Sequence, residues 1–283
     1  MEIFHSKTDL TDYLGNARIK DKKIGFSPTM GALHDGHLSL IRASKLESDI
    51  SVCSIFINPV QFNNEEDLQN YPRTLEDDLD KLLNEKCDAV YVPQIEDIYV
   101  ASKKIKTNIH FGSIENILEG SFRPGHFKGV GLIVSKFFNI IKPDYAYFGQ
   151  KDLQQYHLIK QLIEDLSYEI KLRCISTVRE SDGLALSSRN ARIKDGDRPI
   201  ANSFYEALIK ANIMLKKGYD IPQVKKFVSD FIGEYPQLSL EYFEVIDIRE
   251  FSIIENIEEK NKTALCISGY LNNIRLIDNV FYI

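Results

Sequence analysis

The chain has 283 residues, 43% of them apolar and 27% charged, material for one large domain or two ordinary ones with a sizeable core. Its formal net charge of -6 excludes broad attraction to a nucleic-acid backbone, so any phosphate site must be a local basic pocket in an acidic molecule. No apolar run is long enough to span a membrane, and residues 1–7 lack the apolar core of a secretion signal. Cys53, Cys87, Cys174 and Cys266 are scattered and form no Cys-x-x-Cys pair, which suits a reducing cytoplasm.

In chain order, the first informative stretch is an apolar run at residues 23–26, then Pro28-Thr29-Met30-Gly31-Ala32-Leu33-His34-Asp35-Gly36-His37, then an amphipathic run at 38–43. That order reads as strand, glycine-bearing loop and helix, with two imidazoles at the junction. Backbone N–H groups and the positive dipole end of a helix favour an anion there, typically a phosphate. The same residues also read as an ordinary turn with solvent-facing histidines, or as part of a zinc site whose third ligand would come from elsewhere. Residues 50–57 read as a buried strand of a parallel sheet, ending in Asn58-Pro59-Val60-Gln61-Phe62. A helix capped by Thr74 runs to about residue 86, and 88–93 is a third strand. The polar loop 119–127 reads as a flap or a plain connection before a largely buried helix at 128–141. A strand at 144–148 leads into Gly149-Gln150-Lys151-Asp152-Leu153-Gln154-Gln155, a helix at 152–166 and a strand at 169–175.

Strands alternating with helices predict an α/β fold over residues 1–175, a doubly wound parallel sheet with ligands beyond the carboxyl ends of its strands. The polar segments after the second strand and after the strand at 144–148 fall on the edge that carries His34 and His37. Residue 176 opens a polar link. Helices at 201–217 and 222–232 and β-rich runs at 240–248, 262–270 and 274–283 then predict a smaller α+β domain, 176–283, hinged to the first.

Three constellations besides the histidine loop carry chemistry. Leu186-Ser187-Ser188-Arg189-Asn190 offers two hydroxyls and a guanidinium, which suit a polyphosphate, although a solvated loop with a capping serine has the same composition. Lys151 precedes a helix, where an anion is favoured. Gly149 permits close backbone approach, and Asp152 can cap the helix or help hold a metal. Gln61 and Gln155 are neutral amides able to grip hydroxyls or a carboxylate without adding charge. The default reading of any one such Lys or Gln is plain surface.

Residues 28–37 resemble the HIGH-type signature of the nucleotidyltransferase superfamily, and more narrowly that of the pantoate–β-alanine ligase family. The resemblance continues in order through residues 56–62, Tyr71-Pro72-Arg73-Thr74, Arg123-Pro124-Gly125-His126-Phe127, Gly149-Gln150-Lys151-Asp152 with Gln155, and residues 182–190. It implies a Rossmann-like N-terminal domain with a small C-terminal lid, usually in a homodimer. It also implies the condensation of pantoate with β-alanine through a pantoyl adenylate, with ATP and Mg2+ and release of AMP and pyrophosphate. Carried over residue by residue, Met30, Gly31, Ala32, Leu33, His34, Asp35, Gly36, His37, Gly149, Gln150, Lys151, Asp152, Val178, Leu186, Ser187, Ser188 and Arg189 contact ATP. His37 is the catalytic acid, with His34, Lys151 and Arg189 beside it in catalysis. Gln61, Gln155 and Asn58 are the substrate contacts, and no protein side chain is assigned to a metal. Gln150 stands where many relatives have Glu, and Leu186 where some have Met. Neither change removes a phosphate-binding charge. Nucleic acid and membrane are not among the expected partners.

Three rivals follow from the same residues. Another nucleotidyltransferase with a phosphorylated acceptor would need extra cations where Gln61 and Gln155 stand. An aminoacyl-tRNA synthetase would need a tRNA-binding domain for which there is no length. A sensing module could dispense with His37, Lys151 or Arg189.

Overall fold

In the computed structural model, residues 1–99, 107–258 and 262–282 are described. Six strands, β1 (Glu2–Phe4), β2 (Ile24–Thr29), β3 (Ile50–Ile55), β4 (Ala89–Tyr91), β5 (Tyr145–Gly149) and β6 (Lys171–Ile175), make one sheet. Between them run helices α1 (Lys7–Arg18), α2 (Asp35–Glu47), α3 (Glu65–Gln69), α4 (Leu75–Asn84), α5 (Ile95–Ile98), α6 (Leu118–Phe122), α7 (His126–Ile141) and α8 (Leu153–Asp165). The later part of the chain adds α9 (Ser203–Lys216), α10 (Ile221–Gly233), β7 (Leu238–Asp247), β8 (Ser252–Ile253), β9 (Thr263–Leu271) and β10 (Ile274–Phe281). The last residue of the strand expected at 274–283 lies outside the described residues. The edge strand β1 and helix α1 have no counterpart in the sequence reading: a three-residue strand leaves no periodicity to detect, and α1 is a mostly polar helix that buries only Leu10, Leu14 and Ala17.

Every pairing in the first sheet is parallel, in the order β1-β4-β3-β2-β5-β6. Successive residues alternate between two cores. Val52, Tyr91, Ala146 and Phe148 face α1, α7 and α8, whereas Cys53, Ile55 and Val90 face α2 and α4. Burial on both faces is what makes these strands read as unbroken apolar runs. Phe137 of α7 anchors the first face, edge-on to Phe26, Phe56 and Tyr91 at ring distances of 5.8, 6.0 and 5.9 Å.

Strand order reverses at β2, where β3 lies on one side and β5 on the other. Pairing with β3 continues to Thr29, but pairing with β5 is limited to Gly25 with Tyr145 and Phe26 with Ala146. In a parallel strand alternate residues turn their backbone groups to opposite neighbours. Ile24 turns to the β5 side, accepting from the Asp144 N–H, and Thr29 turns to the β3 side, accepting from the Phe56 N–H. Pro28 therefore faces β5, at the position where pairing has ceased and where it has no N–H to offer. The sheet parts at its switch point, at the carboxyl ends of β2 and β5, which is where doubly wound sheets take their ligands.

Contacts divide the chain into two compact units, Met1–Gly149 with Gln155–Ser176, and Gln150–Gln154 with Thr177–Ile283. The second has its own antiparallel sheet, ordered β10-β9-β7-β8, with α9 and α10 supplying Phe204, Leu208, Ala211, Val224, Val228 and Ile232 to its core. Helix α10 starts on a capping box. Asp220 Oδ1 accepts from the Gln223 N–H at 2.7 Å, and Gln223 Oε1 accepts from the Asp220 N–H at 3.1 Å. Among the described residues, no helix is long and apolar enough to cross a membrane.

Candidate active site

The turn out of β2 takes Gly31 and Ala32 through the left-handed region, with φ of +82° and +50°. A Cβ on Gly31 would lie 3.0 Å from Asp78 Oδ2, so glycine is needed for this approach as well as for its φ. Asp78, 1% exposed, accepts from the Ala32 N–H with Oδ2 (2.8 Å) and from the Leu33 N–H with Oδ1 (2.6 Å). Lys81, one turn on in α4, donates to the Leu33 carbonyl at 2.8 Å. Two amides of the expected phosphate loop are thus committed to a carboxylate of the protein itself.

Helix α2 begins immediately after His34. The backbone N–H of His34 donates to His37 Nδ1 at 3.4 Å, and the two rings stand 4.0 Å apart, tilted by 34°. With Nδ1 accepting, the neutral ring of His37 carries its proton on Nε2, a fixed donor. Asp35 is engaged along the helix surface by Arg42.

The turn after β3 is built around Asn58. Its Nδ2 donates to Gln61 Oε1 and to the Gly129 carbonyl, each at 3.1 Å, and its Oδ1 accepts from the Tyr99 hydroxyl at 2.8 Å and the Val60 N–H at 3.4 Å. Burial pushes the Tyr99 phenol up, which keeps it a donor. Asn58, expected as a substrate contact, is 1% exposed and spends its amide inside the fold, one of its bonds fixing the Gln61 side chain. Gln61 Oε1 is taken by Asn58 and its Nε2 reaches Met30 Sδ, so the amide presents N–H groups on the side of the histidine loop. His126 Nδ1 lies 2.8 Å from the Gln61 carbonyl, which ties the 123–127 loop to this turn. Close packing here depends on Gly129, where a Cβ would fall 2.6 Å from Gln61 Cα and the Val60 carbonyl oxygen. Gln155 is half-buried in the first turn of α8.

The remaining candidates belong to the second unit. Gln150, Lys151 and Asp152 form a 3-10 turn, with α8 starting at Leu153 and not at 152. Lys151 is 19% exposed and lies 3.8 Å from Asp152. Val178 and Leu186 bond across the base of a hairpin (Leu186 N–H to Val178 carbonyl, 3.0 Å) that turns at Gly183. This is the segment read as a link. Ser187 Oγ then accepts from the Arg189 N–H at 3.2 Å and caps the turn Ser188–Arg192. Asn190 donates to the Ala185 carbonyl at 3.1 Å, and Arg198 reaches Glu180 and Asp182 at 2.6 Å each, so the segment is held from both sides. Among the described residues, no group of three or more His, Cys, Asp or Glu is placed to hold a metal ion.

A family model described as pantoate–β-alanine ligase matches residues 2–281. The chain belongs to the pantoate–β-alanine ligase family. Relatives in that family include the pantothenate synthetases of Thermosipho melanesiensis, 42% identical over 99% of both chains, and Porphyromonas gingivalis, 40% identical over 100% of this chain and 99% of that one. A solved pantothenate synthetase from Thermus thermophilus superposes with a TM-score of 0.92 at 31% identity, over 99% of each chain. A pantoate–β-alanine ligase from Francisella tularensis, solved in complex with β-γ ATP and β-alanine, gives 0.82 at 35% identity, over 100% of this chain and 98% of that one.

Sequence reasoning missed Asp78, and a signal was there. Asp78 lies on the spacing of Leu75, Leu79 and Leu82, a charge in the apolar phase of α4. Asp278 likewise takes the inward phase of Ile274 and Leu276 in β10.

Proposed function

We propose that this enzyme joins pantoate to β-alanine with ATP, through a pantoyl adenylate, releasing pyrophosphate and then AMP. The observation that carries the reading is the parted switch point of the sheet. On one flank stand His34 and His37 at the start of α2, on the other the turn holding Gln61, whose amide is oriented to donate. An uncharged donor suits a hydroxy acid that must keep its carboxylate nucleophilic.

In the first step a pantoate carboxylate oxygen attacks the α-phosphorus, the bond to the bridging oxygen of the β-phosphate breaks, and pyrophosphate leaves. Gln61, oriented by Asn58, and Gln155 hold the acid. Negative charge grows on phosphate oxygens, so pre-placed donors are the useful groups. We assign this role to His37 Nε2–H, His34, Lys151, Ser187, Ser188 and Arg189. Further contacts come from Met30 to His37, where the Ala32 and Leu33 amides are spent on Asp78 and leave their neighbours to the nucleotide, and from Gly149 to Asp152, Val178 and Leu186. In the second step the β-alanine amine attacks the acyl carbon, the carbon–oxygen bond to AMP breaks, and the amine proton is lost as the amide forms. Mg2+ would enter with ATP, asking of the protein one or two carboxylates at most; Asp152, exposed beside Lys151, is the carboxylate that would hold it, and the ion would neutralise phosphate charge. We further read the molecule as a cytoplasmic homodimer whose second unit serves as the lid, by the resemblance of its motifs; light scattering on the purified chain checks the dimer.

The test is pyrophosphate release from ATP with pantoate alone, followed by pantothenate formation on adding β-alanine. Release that requires β-alanine, or that is equally fast without pantoate, would overturn the adenylate reading.

A further inference from the structure

Asp278 and Asn279, at 6% and 2% exposure, are buried polar residues on β10 that the chemistry above does not use. A short 3-10 turn leaves carbonyls unpaired. Asn279 supplies the partners, its Nδ2 donating to the Gln150 carbonyl at 2.9 Å and the Lys151 carbonyl at 3.0 Å, while its Oδ1 accepts from Gln150 Nε2 at 3.1 Å. Asp278 Oδ1 accepts from the Asn279 N–H at 2.7 Å. Its two oxygens also take a fork from Arg179, at 2.5 and 2.9 Å. Arg179 stands in the 178–186 hairpin, donates to the Gly183 carbonyl at 3.1 Å and the Asn279 carbonyl at 3.3 Å, and lies over the Tyr205 ring at 3.9 Å. One buried pair therefore grips the turn that bears Lys151 and, through Arg179, the hairpin that leads into Ser187 and Arg189. The grouping of Gln150–Gln154 with the second unit, although they directly follow β5, has this physical basis.

We propose that Asp278 and Asn279 are positioning residues that hold Lys151 and the Ser187–Arg189 segment as one rigid phosphate-binding piece. The inference rests on the assignment of Lys151 and Arg189 to ATP. Freezing both backbones in advance removes the ordering cost that two separately mobile cations would impose in the transition state. Asn279 is the specific element, because only an amide can donate to two carbonyls and accept from Gln150 at once.

The experiment is a double-mutant cycle on pantoate-dependent pyrophosphate release. Asn279→Ala should lower adenylation by about 10- to 10²-fold, the scale of a displaced catalytic group, and raise the KM for ATP while leaving that for pantoate unchanged. The double variant Lys151→Ala/Asn279→Ala should be no slower than Lys151→Ala, since a residue acting through Lys151 has nothing left to position. Multiplying losses in the double variant, or equal rises in both KM values, would overturn the inference. If Asn279→Ala is insoluble, Asn279→Asp, which keeps the shape and removes both donations, is read in the same way. Failure of both to fold would assign the pair to stability alone and reject the proposal. An unmodified enzyme that releases no pyrophosphate, or a fully active Lys151→Ala, would instead defeat the assignment of function beneath it.

Discussion

Asp78 is a buried carboxylate whose two oxygens are both spent on backbone amides of the loop that precedes α2. Asp78→Ala leaves the Ala32 and Leu33 N–H groups without their partner, a loss of about 3 kcal/mol for charged, buried hydrogen bonds. We expect a lower thermal midpoint together with slower adenylation, because the loop sets where His34 and His37 stand; unchanged kinetics in a folded Asp78→Ala protein would remove it from the site. His37→Ala and Lys151→Ala should each cost about 10²–10³-fold in pyrophosphate release, the usual scale for one preorganised donor. Gln61→Ala should act mainly on pantoate, with ATP binding little changed, as titration of each substrate would report. These three stood out in sequence because each lies in the polar segment that follows a strand. Asp78 did not, although its misplaced charge was visible, since which backbone it would meet depends on a partner 45 residues away.

At the level of elements, two residues shape the crevice through the backbone alone. Pro28 ends the pairing of β2 with β5, and Gly129 lets α7 approach the turn that carries Gln61. Gly129→Ala forces a Cβ to within 2.6 Å of backbone, so that turn must move. We expect a loss of about 1–3 kcal/mol and a raised KM for pantoate, whereas an unaffected KM would show that the turn tolerates the shift. Phe137→Ala, in the core beneath the sheet, should cost about 3–5 kcal/mol in denaturant unfolding with KM values intact, because it opens a cavity among Phe26, Phe56 and Tyr91. The buried strands and the long helices other than α1 were readable from periodicity. The short elements β1, β8, α3, α5 and α6 were not, having too few residues to express a period.

Stability against acid is a property of the whole molecule, and His157 in α8 contributes to it. Burial, with Lys160 adding to it, lowers its imidazole from 6.5 to about 4. A depressed histidine favours the neutral ring in the folded state, so its contribution is complete above about pH 6.5 and fades as pH falls from there through about 4, where the unfolded chain binds the proton first. His157→Gln should therefore show a smaller fall in thermal midpoint between about pH 7 and pH 4 than the parent. Parallel curves for the two proteins would assign the acid sensitivity to other groups. The amino-acid sequence by itself determined the class of fold, the order of its long elements and the strand ends where polar residues gather, because hydrophobic period and glycine or proline punctuation act locally. Which polar residues are spent inside the fold and which are left for a ligand was decided only by tertiary structure. Asn58, Asp78, Asp278 and Asn279 look in sequence like any other polar residue. Their burial against distant backbone, a matter of long-range packing, makes them the frame that holds Gln61, the histidine loop and Lys151.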